Sequence, residues 1–225
     1  MTEKTVEKTS KPESGNLLRR DVRFLGTLLG KVLVHQGGTK LLESVEEIRE
    51  MTKSLRANFD PAQFETFKDK IRNLEPDLRL KVIRAFAIYF QLVNIAEQNH
   101  RVRRKRDYER SVSTDLQEGS IESIVAELKE KNVEESAVKD ILQQMSLELV
   151  MTAHPTEATR RAVLDIHHRI AEEVMKLDDP TLTYREREQL REALLSEILT
   201  LWQTDELRER KPTVRDEVRN GLFYF

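Results

Sequence analysis

The chain has 225 residues, 38% hydrophobic and 35% charged, with only 7 Gly and 6 Pro, which suits one large or two small domains and excludes a collagen-like or wholly disordered polymer. Its 38 Lys and Arg nearly balance 40 Asp and Glu, and a formal charge of -2 supplies no global field for a polyanion or an anionic bilayer, so neither nucleic acid nor membrane is expected as a partner. The absence of cysteine excludes disulfide frameworks, thiolate zinc sites and cysteine nucleophiles together, and fits a reducing compartment.

Residues 1–15 are rich in Lys, Glu, Thr and Ser with no apolar segment, and read as a disordered polar tail rather than a signal peptide or an anchor. Nowhere do about 18 apolar residues run together, so the chain reads as soluble and cytoplasmic. Leu18, Val22, Leu25, Leu29 and Val32 then recur three and four apart, the stripe of an amphipathic helix. His35-Gln36-Gly37-Gly38 interrupts it, because paired glycines end helices at low cost and favour a chain reversal; Leu41, Val45, Ile48 and Leu55 form a second stripe.

Asp60-Pro61 with Gln63 predicts an N-cap, a first-turn proline and a capping-box glutamine ahead of Phe64, Phe67, Ile71 and Leu74. Pro76 opens a longer helix, apolar around much of its girth and therefore central, that runs into the basic stretch His100–Arg110. That stretch is either a phosphate or nucleic-acid patch or a solvated helix end; with one tyrosine for stacking and no basic background, the solvated end is the better account. Ser120 predicts a cap for the stripe Ile121, Ile124, Val125, Leu128, and a further short helix carries Val138, Ile141, Leu142 and Met145.

Residues 147–152 change the pattern to a brief apolar run cut off by His154-Pro155, and a buried strand is expected there. Beyond it, Val163, Ile166, Ile170, Val174 and Leu177 predict a helix ended by Asp178-Asp179-Pro180. Thr183 and Glu186 form a capping box for another, with Leu190, Leu194, Ile198, Leu201 and Trp202, broken by Lys211-Pro212-Thr213. A last stripe, Val214, Val218 and Leu222, leads into Leu222-Phe223-Tyr224-Phe225, an apolar aromatic ending that reads as a truncation.

The chemistry concentrates at Val150–Arg161. Proline after His154 biases the histidine away from helical backbone and presets a first helical turn, so an imidazole able to exchange protons near neutrality stands at a helix N-terminus that favours anions. Arg160 and Arg161, about one turn along, are weak candidates for binding an anionic substrate, or bind the helix to its surroundings. On these grounds alone His154 is either a working acid/base or a packed histidine at a helix start. His167 and His168 are adjacent and face apart, and neither His35 nor His100 has a metal-ligand partner at useful spacing.

The string Thr152-Ala153-His154-Pro155-Thr156-Glu157 followed by Arg160-Arg161 resembles the histidine signature of the phosphoenolpyruvate carboxylases. Leu201–Arg208, Lys211–Thr213 and Asp216–Leu222 are similar to that family's following helices, and Asn94–Arg101 and Gln117–Ile121 to its N-terminal region. The resemblance covers almost the whole chain. It is to the bacterial type, since the serine-containing regulatory extension of the plant enzymes has no counterpart.

The resemblance implies an enzyme that joins bicarbonate to phosphoenolpyruvate, releasing oxaloacetate and phosphate, with Mg2+ or Mn2+ as cofactor and a homotetrameric assembly. It implies His154 as the catalytic base: bicarbonate attacks the phosphoryl group to give carboxyphosphate and an enolate, and the histidine helps carboxyphosphate lose its proton and release carbon dioxide, which the enolate captures. It also implies an α/β barrel whose metal ligands and phosphate loop lie beyond this chain. Glu157, Asp205 and Glu206 are better explained as caps and ion pairs than as metal ligands, and no metal residue is assigned.

The expected fold class is therefore mainly α, the helical N-terminal part of an α/β-barrel enzyme, with at most one or two short strands at about 147–152. The expected organisation is a tail (1–15), an N-terminal helical region (16–146), and a truncated region holding the first barrel strand, histidine loop and following helices (147–225). Such a fragment is expected to be inactive alone and to need the remainder of the carboxylase chain. A non-catalytic all-α interaction module is the alternative, but it leaves the Thr152–Arg161 string unexplained.

Overall fold

A computed structural model describes residues 13–110, 116, 119–148, 160–206 and 213–222. Among them are eight helices and no strand: α1 (Glu13–Ala57), α2 (Pro61–Asn73), α3 (Pro76–Arg110), α4 (Ile121–Glu130), α5 (Glu135–Gln144), α6 (Arg161–Lys176), α7 (Tyr184–Gln203) and α8 (Val214–Gly221). The mainly α expectation holds. Of the expected strand, Leu147 and Glu148 are irregular, and 149–152 lie outside the described residues.

The helices fall into two compact units. The first joins residues up to Arg101 with Thr159–Leu207; the second holds Val102–Ala158 and Arg208–Phe225. The first unit contains a core in which four helices meet. Leu25, Leu29, Val32 and Leu33 come from the first half of α1, Leu41, Val45 and Ile48 from its second half, and Val82, Ala85, Ile88 and Leu92 from α3. The stripes Val163, Ile166, Ile170, Val174 of α6 and Leu194, Ile198, Leu201, Trp202 of α7 complete it, as their three-and-four spacing predicts. Asn99, buried on the same face of α3, donates through Nδ2 to the Ala171 carbonyl (3.1 Å) and joins α3 to α6.

The break in α1 falls at Gly38, whose φ of 76° and ψ of 174° lie in a region open essentially only to glycine. A methyl group added at Gly30 would sit 3.6 Å from Leu42 Cδ1. In an uninterrupted helix, twelve residues span about 18 Å, so the two halves lie side by side. Gly38→Ala is expected to lower the unfolding free energy by about 1–3 kcal/mol, the usual cost of holding a side chain in such backbone, measured by urea denaturation. Gly37 has a different reason to be glycine: a Cβ there would meet the side chain of fully buried Leu41.

Side-chain caps form as predicted at three helix starts. Asp60 accepts from the Ala62 N–H at 2.9 Å with Pro61 in the first turn, Ser120 accepts from the Ser123 N–H at 3.0 Å, and Thr183 and Glu186 close a reciprocal box. Gln63 departs from expectation, because its side-chain oxygen accepts from Ser54 Oγ at 3.5 Å across the α1–α2 turn. Helix α2 buries no residue fully; Phe67, Ile71 and Leu74 lean on the core while Phe64 stacks between Phe59 and Phe67.

In the second unit, α4 and α5 bury none of their side chains, and Ile121, Ile141 and Leu142 are more than half exposed. Their stripes, expected as core, are correctly periodic but uncovered in this chain. Among the described residues, no helix is long and apolar enough to cross a membrane.

Candidate functional site

His154 and Glu157 fall in the stretch 149–159, outside the described residues. The described backbone resumes at Arg160. That residue is extended (φ -68°, ψ 143°) and caps α6 without a side-chain bond, while its carbonyl accepts from the N–H groups of Val163 and Leu164. Its own N–H donates to the Glu206 carbonyl at 3.2 Å. The start of α6 is thus tied to the residues that follow α7, and the Arg160 side chain remains exposed. Arg161 reaches along its own helix to Asp165, Nε to Oδ1 at 3.4 Å, an i, i+4 pair of the kind that supports a helix.

Behind this junction is a polar network that threads three elements of the first unit. His167 Nε2 lies 3.0 Å from Gln91 Oε1, and Gln91 Nε2 donates to a carboxylate oxygen of Glu206. Because the Gln91 amide already donates to Glu206, its oxygen faces the ring, and His167 is the donor through Nε2–H. Burial holds the His167 imidazole below its ordinary value near 6.5, favouring the neutral ring. His168 points the other way, exposed, with Nε2 3.3 Å from Glu172. Glu206 therefore braces α3 through its side chain and the α6 start through its carbonyl.

Arg84 completes the arrangement from α3. Its Nη2 donates to the Thr204 carbonyl at 2.7 Å, and its guanidinium lies over the Trp202 ring at 5.7 Å. A cation there meets the carbonyl-rich end of α7, where the helix dipole favours it. Ile83, Arg84, Ala87, Gln91, Thr204 and Glu206 line a groove of about 420 Å³ beside these contacts. Among the described residues, no three His, Asp or Glu side chains come together in a way that could hold a metal ion.

The buried His167 makes a pH prediction. Its folded pKa is depressed, so the unfolded chain binds the proton more readily below about pH 6.5; the stability it contributes is fully present above that value and is lost as pH falls through the folded pKa. The urea midpoint of the wild type is expected to fall more between pH 7.5 and 5.5 than that of His167→Gln, which keeps a donor for Gln91 without titrating.

Sequence reasoning placed His167, Arg160, Arg161 and Glu206 but not the residues that connect them. Asn99 carried a legible signal, being a polar side chain on the same helical face as Leu92, Ile95 and Ala96. Arg84 and Gln91 carried none, since a polar residue beside an apolar stripe reads as a solvated flank until its partner on another helix is known.

The described residues define an all-α scaffold in which the start of α6, six residues beyond Pro155 in sequence, is pinned to the residues that follow α7. The chain belongs to the phosphoenolpyruvate carboxylase family, whose profile, described as Phosphoenolpyruvate carboxylase, it matches over residues 18–225. It is similar to proteins named phosphoenolpyruvate carboxylase from Alcanivorax borkumensis, 38% identical over 205 residues and 91% of this chain, and from Paraburkholderia xenovorans, 37% identical over 209 residues and 92% of this chain. A Burkholderia mallei protein of the same name is 36% identical over 209 residues and 92% of this chain. The chain spans only 21–23% of the length of these relatives and corresponds to their N-terminal part.

Proposed function

We propose that this chain is the histidine-bearing N-terminal part of a cytoplasmic phosphoenolpyruvate carboxylase that converts phosphoenolpyruvate and bicarbonate to oxaloacetate and phosphate, and that His154 is its catalytic base. The observation that carries the reading is the Thr152–Arg161 string inside a family match running from residue 18 to 225. In this reading residues 147–225 supply the first barrel strand, the histidine loop and the helices behind it. The rest of the polypeptide supplies the remaining barrel and the tetramer contacts.

The role follows from proton bookkeeping. Bicarbonate attacks phosphorus, the enolate leaves, and carboxyphosphate still holds the acid proton. A neutral imidazole at His154 takes that proton, the C–O bond to phosphate breaks, and carbon dioxide is freed beside the enolate. A site crowded with anions favours the imidazolium once formed, so the proton stays while the new C–C bond closes. Arg160, exposed and three residues beyond Glu157, suits an anionic group; Arg161, engaged by Asp165, suits bracing.

A divalent ion, Mg2+ or Mn2+, would stabilise the enolate oxygen when bound. The described residues do not fit it, since they bring no ligand set together, and the chemistry assigned to this chain does not run through it. The test is oxaloacetate formation by the 225-residue chain and by the full-length protein, assayed side by side. Activity in the full-length protein alone supports the proposal. Activity in the short chain, or in neither, refutes it.

A further inference from the structure

Helix α3 has two apolar faces, and only one is used by the first unit. Val82, Ala85, Ile88 and Leu92 are buried in the core. On another side, Leu80, Ile83, Ala87 and Phe90 recur at intervals of three, four and three residues, the spacing of a continuous helical stripe. Leu80 is 67% exposed, and Ile83 and Phe90 are each 60% exposed. Scattered exposed hydrophobics need no explanation, but a stripe at this spacing along more than two turns of one helix is a face built to be covered.

The same face borders the groove that runs past Arg84 and Gln91 to Thr204 and Glu206. One edge of the stripe therefore adjoins the junction where Glu206 holds Arg160. Whatever covers the stripe therefore also borders Gln91 and Glu206 of the polar network at the start of α6.

We infer that this face of α3 is the docking surface for the polypeptide that follows Phe225 in the full-length protein. The inference rests on the reading of this chain as part of a carboxylase and names what the part packs against. Length identifies the occupant: the relatives share 91–92% of this chain, yet that accounts for only 21–23% of their own length, so each carries several times as much polypeptide to cover it. The surface lies within the matched residues, beside the segment that leads back to the histidine signature, where the remainder of an active site must approach.

The absence of cysteine from the chain makes the test direct. Leu80→Cys, Ile83→Cys and Phe90→Cys are made singly, with Asp69→Cys on exposed α2 as control, and maleimide labelling is followed peptide by peptide in both the 225-residue chain and the full-length protein. The three α3 positions are expected to label at least tenfold more slowly in the full-length protein, while Asp69→Cys labels equally in both. Equal rates at the α3 positions would overturn the inference. So would slowing in the short chain as its concentration rises, which would assign the face to a second copy.

A photo-crosslinker at Ile83 separates the remaining occupants. A link within one polypeptide on a denaturing gel supports the proposal, and a link between two polypeptides overturns it. The oxaloacetate assay on the same preparation keeps the two readings apart: protection without activity refutes the carboxylase function alone, and activity without protection refutes the docking surface alone.

Discussion

Replacing His154 with asparagine in the full-length protein is expected to lower oxaloacetate formation about 10²–10⁴-fold, the usual contribution of a positioned acid/base. Asparagine preserves approximate size and hydrogen-bonding capacity but cannot accept the carboxyphosphate proton at neutral pH. Phosphoryl transfer to bicarbonate precedes that step in the proposed sequence, so the variant still forms carboxyphosphate and enolate. Water then hydrolyses the first to phosphate and bicarbonate and protonates the second to pyruvate, and phosphate release should fall much less than oxaloacetate formation. Measuring both products from one reaction mixture gives their ratio, expected to rise in the variant. A ratio that stays at the wild-type value while both rates fall would place the histidine at phosphoryl transfer instead. Unchanged rates would remove it from the chemistry.

Leu194→Ala is expected to destabilise the chain by about 2–5 kcal/mol, a large share of the roughly 5–15 kcal/mol that holds an ordinary domain. Leu194 is fully enclosed, on the helix that packs against both α1 and α6. Truncation removes buried methyl groups and leaves a cavity whose walls belong to different helices and cannot collapse independently. Urea denaturation followed by circular dichroism should show the lower midpoint. A companion Leu142→Ala change, at a side chain 57% exposed on α5, should leave the midpoint within about 0.5 kcal/mol of wild type. Equal losses at the two sites would contradict the assignment of the core to α1, α3, α6 and α7.

Local features were the most legible in the sequence. Helix starts at Asp60, Ser120 and Thr183 could be read because a cap is a relation between residues two or three apart, and the break near Gly38 because paired glycines act locally. Periodicity likewise picked out the buried positions of α6 and α7, but it ranks faces without pairing them. Nothing in residues 159–207 announces that they return to the first hundred residues, leaving 102–158 to another unit. The exposed stripes of α4 and α5 show the same limit: their spacing is that of a core, and a core needs a second surface. At the candidate site, the proposal of His154 rests on its proline and its motif. The contacts among Gln91, His167 and Glu206 could not be read in advance, because hydrogen bonds spanning 76 and 115 residues leave no trace in spacing.

The discontinuity of the first unit has a consequence during synthesis. Helices α1 to α3 leave the ribosome with the inward face of α3 finished but its partners in α6 and α7 not yet made. The interval from Arg101 to Gln203 is about 100 residues, which at typical elongation rates of 5–20 residues per second leaves that greasy surface waiting for about 5–20 s. The nascent chain is therefore a natural client for holding chaperones. A translational pause that holds the chain with residues 1–101 already outside the ribosome should raise aggregation, whereas one that holds it with residues 1–207 outside should not.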